Sequence, residues 1–293
     1  MKLFDDSKRF YKGNLHTHTS RSDGVHSPEE VMREYAENGY DFLALTDHWK
    51  VGGEQRYQNM LVIPGVEYDF TFAAQVLHVV ALLPDASCAK DIVRGTTHEE
   101  VIRRINECGG VPIAAHPAWS LNTPDFLASL SGVGIAEVYN SLSDEPFNAQ
   151  RGDASQILDV TAANGKVFRQ VATDDAHFYR GEQCRSYIML QAEELSVSGI
   201  LSALRTGKFY ASQGPRFLSA EVADGKLIVH TSPVSLCTFS SNKYWVAGRC
   251  RTGQGMTESI YEIQPGENFV RCTITDVNGK RAWLSPIVLN ADY

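Results

Sequence analysis

Six of the nine histidines in this 293-residue chain stand with carboxylates in five clusters. They are His16-Thr17-His18 with Asp23, Asp47-His48, Glu67 followed by His78, His116, and Asp175-Ala176-His177. Imidazole and carboxylate together suit zinc, iron or manganese, and such ions activate water for hydrolysis. The clusters are scattered along the chain, so only folding can bring them together. His16 and His18 are two residues apart; on an extended strand their rings project to the same side and can chelate one ion. A single H-x-H pair is a weak signal, but five clusters in one chain point to a multinuclear metal hydrolase.

The elements that must position these residues alternate. Helix starts are signalled at Ser27-Pro28 with Glu30, Thr97 with Glu100, Thr123-Pro124, Asp153 with Gln156, and Ser196 or Ser198. Each offers a side-chain oxygen to the free N–H groups of a first turn. Between them lie short apolar runs at 42–45, 61–66, 76–83, 111–115, 135–139, 167–172 and 187–190, the pattern of parallel strands buried on both faces. Most runs lead directly into a cluster: Asp47-His48 after Leu45, Glu67 after Val66, His116 after Ala115, and Asp175 with His177 shortly after Ala172. In α/β barrels the chemistry sits at the C-terminal strand ends, so this placement predicts a ring of ligands around one barrel mouth. Beyond Ser212-Gln213-Gly214-Pro215 the pattern becomes strands joined by tight turns at Asp224-Gly225 and Asn278-Gly279, which are hairpin signals. The expectation is an α/β barrel domain over 1–212 and a small antiparallel β-sandwich domain over 213–293.

Composition narrows the function classes. A net charge of −8 argues against a protein that grips long nucleic acid, though not against a small anionic substrate held by metal ions. The start, Met1 to Asp6, has no apolar signal-peptide core, and no run is long enough to span a bilayer. The six cysteines are dispersed without a C-x-x-C pair, which predicts free thiols in a cytoplasmic protein.

Taken in order, the motifs are Asn14-Leu15-His16-Thr17-His18-Thr19, Ser22-Asp23-Gly24, Leu45-Thr46-Asp47-His48, Gly65-Val66-Glu67, His78, Ala115-His116-Pro117, Glu137-Val138-Tyr139-Asn140 and Asp174-Asp175-Ala176-His177. In order, spacing and strand context this set resembles the PHP (polymerase and histidinol phosphatase) metallohydrolases, over roughly residues 12–212. The resemblance implies a distorted (β/α)7 TIM-like barrel with two or three divalent ions (Mn, Fe or Zn) at its mouth. It implies that His16, His18, Glu67 and Asp175 hold a first metal. Glu67 would bridge to a second, bound by His78 and His116, and Asp23, His48 and His177 would hold a third. Some relatives carry histidine where this chain has Asp23, so occupancy of the third site stays open.

The leading expectation is a metal-dependent phosphoesterase that cleaves a small phosphorylated molecule with an activated hydroxide. His48, His177 or a metal-bound water would protonate the leaving oxygen. Arg21 and Arg180 flank the site motifs and Asn140 ends a strand, so these are the expected substrate contacts. Asp47 and Asp174 precede ligands and are expected to orient imidazoles from behind. One alternative is a carboxylic or carbamate ester hydrolase: the stretch from Ala203 to Ser212, followed by a β domain, resembles a PHP branch that includes such enzymes. Another is a nuclease acting on short oligonucleotides. No membrane or long nucleic-acid partner is expected, and the oligomeric state is not set by the sequence.

Overall fold

The computed structural model describes residues 1–5 and 7–289; Asp6 and residues 290–293, the end of the expected β domain, lie outside the described residues. The first ten strands are β1 (Phe10–Asn14), β2 (Phe42–Leu45), β3 (Gln55–Tyr57), β4 (Met60–Thr71), β5 (Val76–Leu82), β6 (Val111–Ala114), β7 (Ile135–Asn140), β8 (Arg169–Thr173), β9 (Tyr187–Gln191) and β10 (Phe209–Ser212). Five α-helices are described among them: α1 (Pro28–Glu37), α2 (His98–Glu107), α3 (Pro124–Ser129), α4 (Ser155–Ala163) and α5 (Val197–Thr206).

Local chemistry explains the helix starts. Ser27 Oγ accepts from Glu30 N while the Glu30 carboxylate accepts from Ser27 N at 2.8 Å, a reciprocal cap on α1. Thr97, Thr123 and Ser196 cap α2, α3 and α5 in the same sense, and Gly207 ends α5 in the left-handed conformation (φ 74°). Helix α4 departs from expectation. Its N-cap is Ala154; Asp153 lies one residue earlier, accepts from Ser155 N at 2.7 Å and pairs with Arg281.

The strands form a mixed sheet rather than the expected ring of parallel strands. β1–β2, β2–β4, β6–β7 and β7–β8 are parallel, whereas β4–β5, β5–β6, β1–β9 and β9–β10 are antiparallel. The β4–β5 connection is only residues 72–75, closed by Phe72 N donating to Gln75 O at 2.9 Å. A parallel partner would need a crossover of roughly a dozen residues or more.

Nor does the sheet close. β9 pairs along β1 from Phe10↔Gln191 to Gly13↔Ile188 and so fills the edge that a closing β8 would need. β8 meets β1 only past its end, through the isolated parallel bridge Thr17↔Ala176. There His18 N donates to Ala176 O and Asp175 N to His16 O, each at 3.0 Å. The two chain segments that carry metal-ligand candidates are therefore stitched to each other directly.

The C-terminal strands are β11 (Phe217–Ala223), β12 (Lys226–Ser241), β13 (Cys250–Glu262), β14 (Phe269–Thr275), β15 (Arg281–Trp283) and β16 (Ile287–Val288). All their described pairings are antiparallel, as expected. They are joined to the preceding strands by β15, which pairs with β10 through Ala211↔Trp283 and Ser212↔Ala282. Sixteen described strands thus share one hydrogen-bonded sheet. Buried Trp283 stacks on Tyr139 with centroids 5.6 Å apart, and Arg271 on β14 forks onto Asp159 of α4 at 2.6 and 2.7 Å. Phe269 is also buried, while Tyr244 and Trp245 face solvent. No described helix is long and apolar enough to cross a membrane.

Candidate metal centre

Each cluster arrives by a specific piece of backbone. His16 and His18 follow β1, His48 follows β2, His116 follows β6, and Asp175 and His177 follow β8. Glu67 and His78 sit instead within the antiparallel pair β4–β5, where His78 opposes Asp69 and Glu67 lies two residues along on the same face. The antiparallel step thus turns the beginning of β5 toward the ends of the parallel strands. Two of the site residues occupy left-handed backbone: His116 at φ 29° and Asp175 at φ 54°. Strain of this kind persists where the surrounding structure over-determines it. Gly24 has a different task. A Cβ there would lie 2.6 Å from the His18 carbonyl carbon, so glycine is what lets the Asp23 loop fold back onto the histidine strand.

The donor atoms converge in three groups, each within 4.8 Å: His16, His18, Glu67 and Asp175; His18, Asp23, His48 and His177; and His48, Glu67 and His78. The first matches the expected first-metal set. Glu67 belongs to the first and third groups and lies at the centre, with Oε1 2.9 Å from His78 Nδ1 and 3.2 Å from His16 Nε2, and Oε2 3.0 Å from His18 Nε2 and 3.3 Å from His48 Nε2. His116 lies just outside the three groups, with Nε2 3.4 Å from Glu67 Oε1 and 3.8 Å from Asp175 Oδ2. Asp23 Oδ2 lies 3.6 Å from His48 Nε2 and 3.5 Å from His177 Nε2.

These residues fit a cation-binding role. His16 Nδ1 faces Glu137 Oε1 at 2.7 Å, which makes Nδ1 the protonated nitrogen of a neutral ring and leaves a lone pair on Nε2. That atom is 3.1 Å from His18 Nε2 and 3.1 Å from Asp175 Oδ1. Asp175 Oδ1 is buried without an aligned hydrogen bond, although two imidazole nitrogens stand within 3.2 Å. Lone pairs aimed at one point repel unless a proton or metal ion sits between them. Burial opposes charge on His16, yet Asp175, Glu67 and Glu137 hold its pKa well above the ordinary histidine value. Burial likewise opposes charge on His18 and His78, and carboxylates raise both. The same pairing, against burial, holds Glu67, Asp175 and Asp23 below the usual carboxylate range.

The remaining sequence-predicted residues divide. Asn140 is buried and donates to Glu137 Oε2 at 2.8 Å and Asp175 Oδ2 at 3.2 Å, so its amide braces carboxylates and does not line the cavity. Asp47 accepts from Thr19 N, Thr19 Oγ1 and Ser22 Oγ; it pins the turn before Asp23, and no described imidazole contacts it. Asp174 is caged by Tyr35 Oη and by the backbone N–H groups of Cys184, Arg185 and Ser186. Burial lifts its pKa to about 6 even so. Arg21 donates to Val51 O at 2.9 Å, and exposed Arg180 lies over Phe178.

Two acids that support the imidazoles were given no role by the sequence, although Glu137 opens one of its motifs. Glu137 accepts from His16, His116 N, Asn140 and Thr173 Oγ1, at 2.7–2.8 Å each. Its signal was present: an acid inside the apolar strand Ile135–Asn140 requires buried partners. Asp69 Oδ1 faces His48 Nδ1 at 3.3 Å and accepts from Trp49 Nε1 at 2.6 Å. Its signal was the two-residue period that puts it on the Glu67 face.

The ligand groups open onto a cleft with two lobes. One, of about 320 Å³, is lined by Asp23, Glu67, His116, Asp175 and His177, with Trp119, Leu142, Phe147 and Phe178 as apolar wall and Ser143 and Asn148 as polar members. The other, of about 490 Å³, is lined by Ser22, Lys50, Asp69 and Arg94. Asp23, His48 and His78 border both.

Solved structures place the fold. Over 98% of this chain and 96% of the other, it superposes with a TM-score of 0.54 and 16% identity on a two-domain protein from Bacteroides vulgatus containing a predicted PHP-like metal-dependent phosphoesterase. The chain therefore has a PHP-like fold, in agreement with the motif resemblance. An amidohydrolase from Chromobacterium violaceum is a more distant likeness (TM-score 0.41, 17% identity, 58% of this chain and 89% of that one) and decides nothing. An uncharacterized protein of Methanocaldococcus jannaschii is 26% identical over 144 residues, 44% of this chain and 83% of that protein. No protein-family model matches the chain.

Proposed function

We propose that the protein is a metal-dependent phosphoesterase acting on a small molecule. The observation that carries this is the convergence of His16, His18, Glu67 and Asp175 on one point, with Glu67 shared with the group of His48 and His78, and His18 shared with the group of Asp23, His48 and His177. In this reading His16, His18, Glu67 and Asp175 would hold one ion, and Glu67, His78 and His116 would hold a second. Asp23, His48 and His177 hold a third when it is occupied. Divalent manganese, iron or zinc in such a site acidifies water and offsets the negative charge of phosphoryl oxygens. Glu137, Asn140 and Asp69 fix the orientation of the groups around it. His48 and His177 line the cavity, and whichever is free of metal can hand a proton to the leaving oxygen.

The two lobes, of about 320 and 490 Å³, each lie within the range for small-molecule sites, roughly 300–1,000 Å³, which favours a metabolite over an oligonucleotide. A carboxylic or carbamate ester hydrolase is the second reading. What favours it is that neither Arg21 nor Arg180 lines the cavity, so the expected arginine grip on phosphate is missing there. The lining residues all precede 213, which supports a catalytic part over 1–212 and an accessory β part over 213–293. Six free thiols fit the reducing cytoplasm. The test is purification without chelators, followed by metal analysis and paired assays with an aryl phosphate and an aryl ester. Two to three equivalents of metal with phosphate release support the proposal. Ester cleavage alone moves the assignment to the second reading, and an inert protein after reconstitution with each metal removes both.

A further inference from the structure

The two lobes differ in a way that specifies the substrate, if the phosphoesterase reading holds. The geometry points to a phosphomonoester of an aromatic or compact apolar alcohol, its ring held by Trp119, Leu142, Phe147 and Phe178 and its anionic face turned toward Lys50 and Arg94. Trp119 stands edge-on to His116 and His78, with centroids 4.9 and 5.7 Å apart, so its indole abuts the metal-ligand candidates themselves. Phe178 lines the same lobe beside His177, 6.0 Å between centroids, and remains 47% exposed. An exposed phenyl ring at the lip of a cavity gains by being covered, and a flat apolar leaving group covers it. Beyond the metal-ligand candidates, a polyol leaving group would find polar partners in that lobe only at Ser143 and Asn148.

The second lobe supplies the opposite character. Lys50 and Arg94 are both exposed, and Arg94 is steadied by Asp69 at 3.6 Å and by the Trp49 ring at 5.1 Å. Both lobes border His48 and His78, so a phosphorus atom at the ligand groups has apolar wall on one side and, on the other, Lys50 and Arg94 set beside Asp23 and Asp69. The reaction balances as a hydrolysis. Water oxygen bonds to phosphorus, the P–O ester bond breaks, the alcohol leaves with one proton, and inorganic phosphate keeps the other.

The test uses the metal-replete full-length protein and esters of alcohols with similar acidity, so that leaving-group chemistry does not masquerade as binding. Benzyl phosphate should exceed n-propyl phosphate and glycerol 1-phosphate in kcat/KM by roughly tenfold or more, about 1.4 kcal/mol. Phe178→Ala and Phe147→Ala should each move the benzyl-to-propyl ratio toward one. Benzylphosphonate should bind more tightly than methylphosphonate by calorimetry, a readout that needs no turnover. Equal handling of the three esters, with equal binding of the two phosphonates, overturns the lobe assignment while leaving the phosphoesterase reading intact. No phosphate released from any ester overturns the phosphoesterase reading, and with it this substrate class, whatever the phosphonates do.

Discussion

At the floor of the site His16 is sealed from solvent and its Nδ1 is fixed by a buried glutamate, Glu137, at 2.7 Å. At the rim His48 and His177 share Asp23, whose side chain is 52% exposed and no closer than 3.5 Å to either ring. Both ends use the same residue types, yet one is over-determined and the other loosely held. Glu137 alone receives four hydrogen bonds, and strained backbone at His116 and Asp175 is locked in beside it. A donor set held in place before metal arrives loses little freedom on binding, whereas a loose set must be ordered by the ion itself. The floor should therefore retain metal through purification and the rim should exchange it.

Glu67 tests the shared centre of that comparison, and its removal has the largest expected effect. Glu67→Ala deletes a carboxylate within 3.4 Å of five imidazoles, so turnover should fall to background and bound metal to less than one equivalent. Circular dichroism should still show a folded chain, and a metal-replete variant with wild-type rates would break the assignment. Glu137→Gln sharpens the contrast without touching a ligand. Outer partners of metal-bound histidines are worth about 10–100-fold in affinity or activity, and a loss of that order should appear at the floor ion in metal competition. An equal loss at the rim would show that the two ends are not independent.

Proton competition separates them further. His16, His18 and His78 have raised pKa values in the metal-free fold, so their protons persist to higher pH and must leave before metal binds. Metal affinity should then fall as pH falls, by about tenfold per unit for each proton displaced, measured by competition with a chelator of known affinity. The apo fold has the opposite dependence on the alkaline side. Stabilisation from the raised histidines is complete below their ordinary value of 6.5 and is lost as pH rises through the raised values. Stabilisation from Glu67, whose value is lowered, is present above 4.5 and is lost on acidification. Apo stability from this cluster should therefore peak between those limits, and metal should erase the alkaline loss. A metal affinity independent of pH would break this account.

How much of this was legible follows from what side-chain order encodes. The convergence of clusters was readable because His48, His116 and Asp175 each come directly or within a few residues after an apolar strand, and strand ends gather at one side of a sheet. Strand direction was not, since periodicity is the same for parallel and antiparallel partners; the short 72–75 connection was the clue that β5 reverses. Closure of the sheet was likewise hidden, because nothing local says that β9 rather than β8 takes the edge of β1. Arginines near motifs in sequence proved poor guides to the cavity. Arg21 turns away to Val51 O, while Arg94, far from any motif, reaches the lobe beside Asp69. A long side chain goes where tertiary partners hold it, and those partners are not sequence neighbours.

The smallest effect is expected at the rim. Asp23 touches His18, His48 and His177 only at 3.3–3.6 Å and accepts one exposed hydrogen bond, from Ser22 Oγ at 2.9 Å. Asp23→Ala should leave the floor ion bound and remove at most one equivalent of metal. The rate should drop by about tenfold rather than to background, since the activating ions nearer Glu67 remain. Added manganese or zinc should restore part of that loss, because His48 and His177 still offer two nitrogens to a rim ion at high concentration. If Asp23→Ala instead abolishes turnover and strips the protein of metal, the rim is no accessory: the loop pinned by Asp47 would then be organising the whole cluster, and the contrast between floor and rim would fail.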